Sequence, residues 1–237
     1  MRIARYVNCA KEEVEARKFN IWIGCSLGNS YFTKEHLKAF ILWALDHTKE
    51  DILVAIPDRI QATNLQVLDR NTPERALKVA MQEGDKRFAL LQEIVTALPL
   101  EKQHLVKMAR WEELERSKYH EYRVKVIFDE FKKKGAFYEY VLNIVKANPK
   151  VQTKNPSLEG LEKLAEYVLY EIPVFLNGVK FGGSRAEGGK VYSLIIYPGF
   201  GLFDELCDGL QKHTLFPELS AQLKITNRQA MLEAYVE

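Results

Sequence analysis

The chain has 237 residues, of which 47% are hydrophobic and 28% charged, and its formal net charge is +2. These values are typical of an ordinary globular protein with a sizeable core, and we expect one domain over residues 1–237. The net charge is too small to indicate nucleic-acid binding, so any basic surface must come from uneven charge distribution. The three cysteines are irregularly spaced, which fits neither a disulfide framework nor a zinc site.

The distribution of charged and apolar residues indicates neither a secretory signal nor a membrane-spanning helix. Residues 1–11 carry charges where a secretory signal would need an unbroken apolar region. No later stretch reaches the ~20 apolar residues that a membrane-spanning helix needs. We therefore expect a cytoplasmic protein that does not enter a membrane.

The first clear elements are a strand, a sharp turn and a helix. Residues 21–23 are bulky or β-branched and suit a buried strand, and Gly24 and Gly28 permit a sharp turn. An apolar stripe at helical spacing then predicts a helix over residues 34–47. Ser26 therefore lies between a strand and a helix, where open α/β sheets bind ligands.

Two residues of this turn are candidate nucleophiles. Ser26 has the position of a nucleophile, but a serine at such a junction also commonly satisfies a turn. The adjacent Cys25 is the other candidate, although free cysteine commonly behaves as a small buried hydrophobe.

The rest of the chain alternates strands and helices. An apolar strand over residues 51–57 follows the first helix and gives the pattern of a parallel sheet. In chain order, the later elements are predicted as helices over 71–95, 112–134 and 136–147 with a strand over 104–111 among them, a loop over 148–156, a helix from Pro156 to about Pro173, a strand over 191–199, a helix over 202–213 and a polar tail.

The helix after Pro156 carries a pair of polar residues on one face. Tyr167 and Glu171 are four residues apart, so they share a face. Glu171 also falls where Pro173 tends to end a helix, and the helix dipole disfavours a carboxylate there. That is an unusual place for an acid without a role, although such a pair also arises by chance. Tyr197 stands, like Ser26, where a strand ends.

Two signatures and two further stretches together resemble one family. Tyr167-Val-Leu-Tyr-Glu-Ile-Pro173 matches the Tyr-(aliphatic)-x-x-Glu-x-Pro signature of the cyclodipeptide synthases, and Ile23-Gly-Cys-Ser26 resembles their aliphatic-Gly-aliphatic-Ser signature. Val54-Ala-Ile-Pro-Asp58 and Tyr197-Pro198 are similar to further family features. The resemblance implies an α/β fold with a single Rossmann-type domain, in which helices flank a parallel sheet, as in class I tyrosyl- and tryptophanyl-tRNA synthetases. It also implies an enzyme that joins the aminoacyl groups of two aminoacyl-tRNAs into a cyclic dipeptide.

The resemblance assigns roles to individual positions. Ser26 would accept the first aminoacyl group, and Tyr167 and Glu171 would hold its amine, with Glu171 also moving protons. Tyr197 would relay the proton during cyclisation, and Tyr119 matches a further active-site tyrosine. The positions that line the pocket for the first side chain correspond to Trp22, Gly24 and Val54. An aminoacyl ester is already activated, so we expect no cofactor, no ATP and no metal.

Some positions depart from the family pattern. Asn20 stands where a histidine is usual, and Cys25 where an aliphatic residue is usual. Asn29, three residues after the serine, is typical of one subgroup, whereas Tyr197-Pro198 is typical of the other. We favour the Tyr-Pro subgroup because Pro198 is unambiguous, and we expect Asn29 to lie near the substrate.

The tRNA surface is predicted from two basic stretches. The helix over residues 71–95 has four basic and four acidic residues, whereas residues 116–134 have seven basic and three acidic. The predicted contacts to the acceptor arm are Lys86, Arg87, Lys132, Lys133 and Lys134. The alternative is a solvated charged helix face. We expect a monomer without a stable protein partner.

Two other functions fit part of the sequence. Gly24-Cys-Ser-Leu-Gly28 also satisfies the G-x-S-x-G elbow of serine hydrolases, and Asp204 and His213 could complete a triad by chain order. A hydrolase serine follows several strands, however, and only 25 residues precede Ser26. The second alternative is a catalytically silent tRNA-binding module, which the joint presence of the catalytic signatures disfavours.

Overall fold

The computed structural model describes residues 1–115, 120–176, 178–182, 189–225 and 228–236, so the predicted active-site residue Tyr119 lies outside the described part. The strands in that part are β1 Arg2–Val7, β2 Ile21–Gly24, β3 Ile52–Ile56, β4 Val106–Arg110, β5 Val179–Phe181, β6 Lys190–Tyr192, β7 Leu194–Tyr197 and β8 Ala230–Tyr235. The helices are α1 Lys11–Glu15, α2 Lys34–His47, α3 Asp58–Leu68, α4 Pro73–Thr96, α5 Leu100–Gln103, α6 Trp111–Leu114, α7 His120–Lys132, α8 Ala136–Lys146, α9 Pro149–Lys154, α10 Leu158–Phe175, α11 Leu202–Gln211 and α12 Pro217–Gln222.

Six strands form one mostly parallel sheet in the order β1-β8-β7-β2-β3-β4. Strands β8, β7, β2, β3 and β4 run parallel, and β1 pairs antiparallel with β8 at the edge. The order reverses beside β2, because the chain first builds outward through β3 and β4 and later adds β7 and β8 on the other side. Such a reversal opens a crevice at the carboxyl ends of the strands. The predicted Rossmann-type sheet is thus confirmed, with β1 as an antiparallel addition.

The two faces of the sheet bury different side chains, because successive residues of a strand point to opposite sides. In β2, Ile21 and Ile23 pack with residues of α2 and α4, whereas Trp22 packs with residues of α6 and α10. A third core joins α7, α8, α10 and α11 beside the sheet. Helix α10 contributes to the core around Trp22 and to the third core, so it connects the helices beside the sheet to the sheet itself.

The expected helix end at Pro173 is wrong, because α10 continues through this residue to Phe175. A proline inside a helix lacks the backbone N–H and crowds the carbonyl group four residues earlier. Here only the last turn is affected, and the neighbouring Ile172 and Val174 are buried. Tertiary packing of these two side chains therefore outweighs the local preference.

Two segments predicted as irregular are regular. Residues 149–154 of the expected loop form α9. Asn148 caps this helix, because its side chain accepts a hydrogen bond of 2.9 Å from the Lys150 N–H.

The expected polar tail ends as the largely buried strand β8, between β7 and β1. Of the six residues of β8, only Tyr235 strongly prefers a strand, so pairing on both sides decides their conformation. None of the helices in the described ranges is long and apolar enough to cross a membrane.

Candidate active site

Four predicted residues meet in one cavity at the carboxyl ends of the strands. Ser26 lies two residues after β2, and Tyr197 is the last residue of the neighbouring β7. Tyr167 and Glu171 lie one turn apart on α10. All four line a cavity of about 310 Å³. The fold thus brings together side chains that are up to 171 positions apart in the sequence.

The turn after β2 is shaped by close backbone approach. A Cβ atom on Gly24 would lie 3.3 Å from Cδ2 of Tyr197, which is tighter than most such contacts. The next residue, Cys25, donates its backbone N–H to the Ala55 carbonyl oxygen of β3 at 3.1 Å. Glycine at position 24 therefore lets the Tyr197 ring lie against the strand end that carries Ser26.

Tyr197 is linked to both polar residues of the turn. Its hydroxyl group forms hydrogen bonds with the side chains of Ser26 and Asn29. Burial, followed by the charge of Glu171, raises the pKa of Tyr197 to about 12, although these two hydrogen bonds act in the opposite direction. Because Asn29 Oδ1 accepts the Tyr31 N–H at 2.9 Å, the amide group of Asn29 is held in place. Tyr197 is therefore a neutral hydroxyl group at pH 7 that can pass a proton to or from Ser26.

Glu171 is a carboxyl group that holds its proton at neutral pH. Burial raises the pKa of Glu171 to about 8, and the charge of Asp204 acts in the same direction. A hydrogen bond from the Tyr167 hydroxyl group lowers the pKa but does not offset the burial. The pKa of Tyr167 is itself raised by burial and then by the charge of Glu171. A cation entering the cavity would favour ionised Glu171, because opposite charges stabilise each other.

Asp204 is a second carboxyl group in the cavity, considered from the sequence only as part of a hydrolase triad. It lies in the first turn of α11, where its Oδ2 accepts the Gly201 N–H at 2.8 Å. Burial is the main reason why the pKa of Asp204 is raised to about 6. The sequence could have indicated Asp204 as a site residue, because it lies at the start of the helix after β7, at the end of the sheet where ligands bind. Other lining residues that the sequence did not single out include Asn64, Trp111, Asn148, Phe175 and Phe203.

One predicted pocket residue lies elsewhere. Trp22 and Gly24 line the cavity as expected from the resemblance, but Val54 does not. Val54 is fully buried in the core on the other face of the sheet, where Ile23 is its register partner. Its neighbour Ala55 lines the cavity instead, because side chains alternate along β3.

The alternative nucleophile and the hydrolase triad lack support. Cys25 is buried, and burial raises the pKa of its thiol group to about 12, so it is not a thiolate at neutral pH. Asp204 lines the cavity, but no histidine does so among the described residues, and His213 is exposed beyond the end of α11. The described residues also contain no group of three or more His, Cys, Asp or Glu side chains that could hold a metal ion.

The predicted tRNA contacts lie in two separate layers. Lys86 and Arg87 belong to α4, which packs with α2 and α3, and Arg87 donates a hydrogen bond to the Phe32 carbonyl oxygen. The other three residues are the last residue of α7 and the two residues after it. Helix α7 packs with α8, α10 and α12. In this group, Lys132 pairs with Asp129 at 3.9 Å, Lys133 with Glu130 at 2.6 Å and Lys134 with Glu162 at 3.0 Å.

Comparison with known proteins decides the family. The family model of the cyclodipeptide synthases matches residues 7–185, which is more than half of the chain. The chain belongs to the cyclodipeptide synthase family. The family predicted from the two signatures is thus confirmed, and the protein is an enzyme of that family. No curated protein matches the chain by sequence.

Solved structures of this family have the same fold. A cyclodipeptide synthase from Staphylococcus haemolyticus shares 17% identity over 98% of this chain and 99% of that chain, with a TM-score of 0.72. One from Bacillus thermoamylovorans shares 17% identity over 95% and 93%, with a TM-score of 0.71. A Mycobacterium tuberculosis protein, described as demonstrating that cyclodipeptide synthetases are related to type I tRNA synthetases, shares 17% identity over 93% and 87%, with a TM-score of 0.68.

The raised pKa of Glu171 predicts a pH-dependent effect on stability. The folded protein keeps this carboxyl proton up to about pH 8, whereas the unfolded chain releases it near 4.5. Between these values the folded state binds more protons, so the stability of the unmodified protein falls as pH rises. Glutamine cannot ionise. Glu171→Gln should therefore raise the midpoint of thermal unfolding, and the gain should grow from about pH 5 to about pH 8.

The check is thermal unfolding of both proteins at several pH values in this window. Glu159→Gln, which removes an exposed acid from the same helix, is the matched control. A gain that stays constant or shrinks as pH rises would show that Glu171 is already ionised in the folded protein at low pH.

Proposed function

We propose that this cyclodipeptide synthase takes two aminoacyl-tRNAs as substrates and carries the first aminoacyl group as an ester on Ser26, without ATP. The observation that supports this most is the meeting of Ser26, Tyr197, Tyr167 and Glu171 in one cavity. These residues provide a hydroxyl nucleophile, a neutral proton carrier beside it and a carboxyl group for an amine. Such a set suits acyl transfer between activated esters.

In the first step, Ser26 Oγ attacks the ester carbonyl carbon of the first aminoacyl-tRNA. The bond from this carbon to the ribose oxygen breaks, and the ribose hydroxyl group leaves with a proton. The Tyr197 hydroxyl group, which is hydrogen-bonded to Ser26, relays the serine proton to the leaving oxygen. The substrate is already an ester, so this exchange of one ester for another needs no additional energy source.

In the second step, the amine of the bound aminoacyl group becomes the nucleophile. Tyr167 and Glu171 hold this amine. When the amine enters as an ammonium group, its charge favours the ionised form of Glu171, which can then take the ammonium proton. The pKa of Glu171, about 8, is close to that of an α-amino group, so the free-energy difference for proton transfer between the two groups is small. The free amine then attacks the ester carbonyl carbon of the second aminoacyl-tRNA. The bond from this carbon to the ribose oxygen breaks, and the ribose hydroxyl group of the second tRNA leaves with the proton that the amine loses. The product is a dipeptide that remains esterified to Ser26.

In the third step, the new terminal amine attacks the Ser26 ester and closes the six-membered ring. The bond to Ser26 Oγ breaks, and Tyr197 returns a proton to the serine. Each of the three steps forms one bond to a carbonyl carbon and breaks one bond from it, so no oxidant or reductant is required. The cavity supports this sequence by holding all the reacting groups in one place, which removes much of the entropic cost of their encounter.

The nucleophile can be tested by comparing two adjacent residues. After incubation with aminoacyl-tRNA, the unmodified protein and Cys25→Ala should both gain the mass of one aminoacyl group, whereas Ser26→Ala should not. Intact-protein mass spectrometry with rapid acid quenching measures this adduct. An adduct that persists in Ser26→Ala and disappears in Cys25→Ala would assign the nucleophile to the thiol group.

The role of Glu171 can be separated from that of Ser26. Glu171→Gln keeps the size of the side chain but cannot take a proton, so product formation should fall by at least about 100-fold, the usual contribution of a general base. Acylation of Ser26 should stay close to that of the unmodified protein, and the aminoacyl adduct should accumulate. Single-turnover acylation and product release are measured on the same samples. Loss of acylation as well would mean that Glu171 acts in the first step or supports the structure.

A further inference from the structure

A second opening adjoins the substrate cavity at Ser26. It has a volume of about 840 Å³ and shares Ser26, Asn64, Asn148 and Tyr197 with the cavity. We call it the polar groove. Its walls are residues 27–30 of the turn, one side of α3, and α9 with the preceding Asn148. Ser26 therefore stands at the boundary between the cavity and the polar groove.

Several side chains that line the polar groove can make hydrogen bonds. Gln61 and Asn64 of α3 contribute amide groups, and Asn64 donates to Gln61 at 3.0 Å. Asn148 and Thr153 line the opposite side. These amides and hydroxyl groups suit the ribose and base edges of a nucleotide, which combine donors with acceptors.

Two lysines of α9 line the polar groove, and both are exposed. Lys150 Nζ donates one hydrogen bond to the Gly28 carbonyl oxygen at 3.0 Å, and an ammonium group has two further protons to donate. Asp69 and Glu83 also line the polar groove. Nevertheless, within the described part of the chain no carboxylate lies within ion-pair distance of Lys150 or Lys154. These two positive charges are thus available to an anionic ligand.

The lysines at the end of α7 differ in this respect. Lys132, Lys133 and Lys134 each have an acidic partner, so a phosphate would have to compete with that partner. They also lie at or just after the end of α7, which packs with α8, α10 and α12, and none of them lines the cavity or the polar groove. The charges best placed to meet a phosphate near the nucleophile are therefore those of α9.

The position of Ser26 indicates what the polar groove holds. The carbonyl carbon that Ser26 attacks connects the amino acid to the ribose, so these two parts must extend in different directions from Ser26. The cavity of about 310 Å³ suits an amino-acid side chain, and the adjoining space is more than twice as large. We infer that the polar groove receives the terminal nucleotides of an aminoacyl-tRNA, whose phosphates Lys150 and Lys154 contact. This inference rests on the proposed function.

The test uses the double variant Lys150→Gln/Lys154→Gln, because glutamine keeps the helix preference and much of the length. Acylation of Ser26 is measured with aminoacyl-tRNA and, separately, with a cyanomethyl ester of the same amino acid, which has no nucleotide. With aminoacyl-tRNA, kcat/KM should fall by about tenfold or more, and its log-log salt slope should become shallower by roughly 0.7 for each lost phosphate contact. Acylation by the cyanomethyl ester should not change.

The matched control is Lys49→Gln/Lys180→Gln, which removes two exposed lysines outside the polar groove. Thermal unfolding of both variants checks that the fold is kept. If the variant of the polar groove behaves like this control with aminoacyl-tRNA, or loses activity equally with both substrates, the inference is overturned. If the unmodified protein is not acylated by aminoacyl-tRNA at all, the proposed function fails first, and this result is distinct from the others.

Discussion

The parallel pairing of β2 with β7 is the contact on which the site depends. These strands are about 170 residues apart in the sequence, yet Ile21, Trp22 and Ile23 pair in register with Leu194, Ile195 and Ile196. Because parallel strands end at the same edge of a sheet, this register places the turn with Ser26 beside Tyr197. The reversal of strand order between them leaves a crevice, since the connections on the two sides lead away from each other. The topology of the sheet thus brings together the proposed nucleophile and its proposed proton carrier.

An ion pair with a buried carboxylate holds the neighbouring strands at the same edge. Asp58, at the start of α3 after β3, is almost fully buried and pairs with Arg110 at the end of β4 at 2.8 Å. Its other oxygen accepts the Arg59 N–H at 2.8 Å. Helix α4 approaches so closely that a Cβ atom on Gly84 would lie 2.6 Å from that of Asp58. Removing Arg110 would leave the buried carboxylate of Asp58 without its charged partner, so this pair keeps the ends of β3 and β4 in place around the cavity.

Local patterns in the sequence were sufficient where structure depends on neighbouring residues. The strand, turn and helix around Ser26 and the face shared by Tyr167 and Glu171 follow from periodicity and capping. The predictions failed where distant contacts decide: β8 is a strand because it pairs on both sides, and α10 continues past Pro173 because its end is packed. Val54 was assigned to the cavity by motif position alone. Which face of β3 it occupies depends on the register with β2, which the sequence does not show.

The place of Asp204 in the cavity also depends on contacts between distant parts of the sequence. Its carboxyl group approaches Glu171 only because α11 begins where β7 ends, and no motif records that meeting. Two carboxyl groups in a buried cavity destabilise an apo protein, because burial and mutual repulsion both oppose ionisation. A site that receives ammonium groups gains from the same arrangement, since each bound cation removes that cost. The raised pKa values and the proposed amine-binding role are therefore two consequences of one environment.

In the proposed function, this cavity joins two activated aminoacyl groups into a ring. The most direct measurement is to incubate the purified protein with a mixture of aminoacyl-tRNAs, without ATP, and to search for cyclic dipeptides by mass spectrometry. Cyclic dipeptide should form, its formation should require charged tRNA, and its amount should not increase when ATP is added. Release of free amino acids without any cyclic product, or product that forms only with ATP, would contradict it.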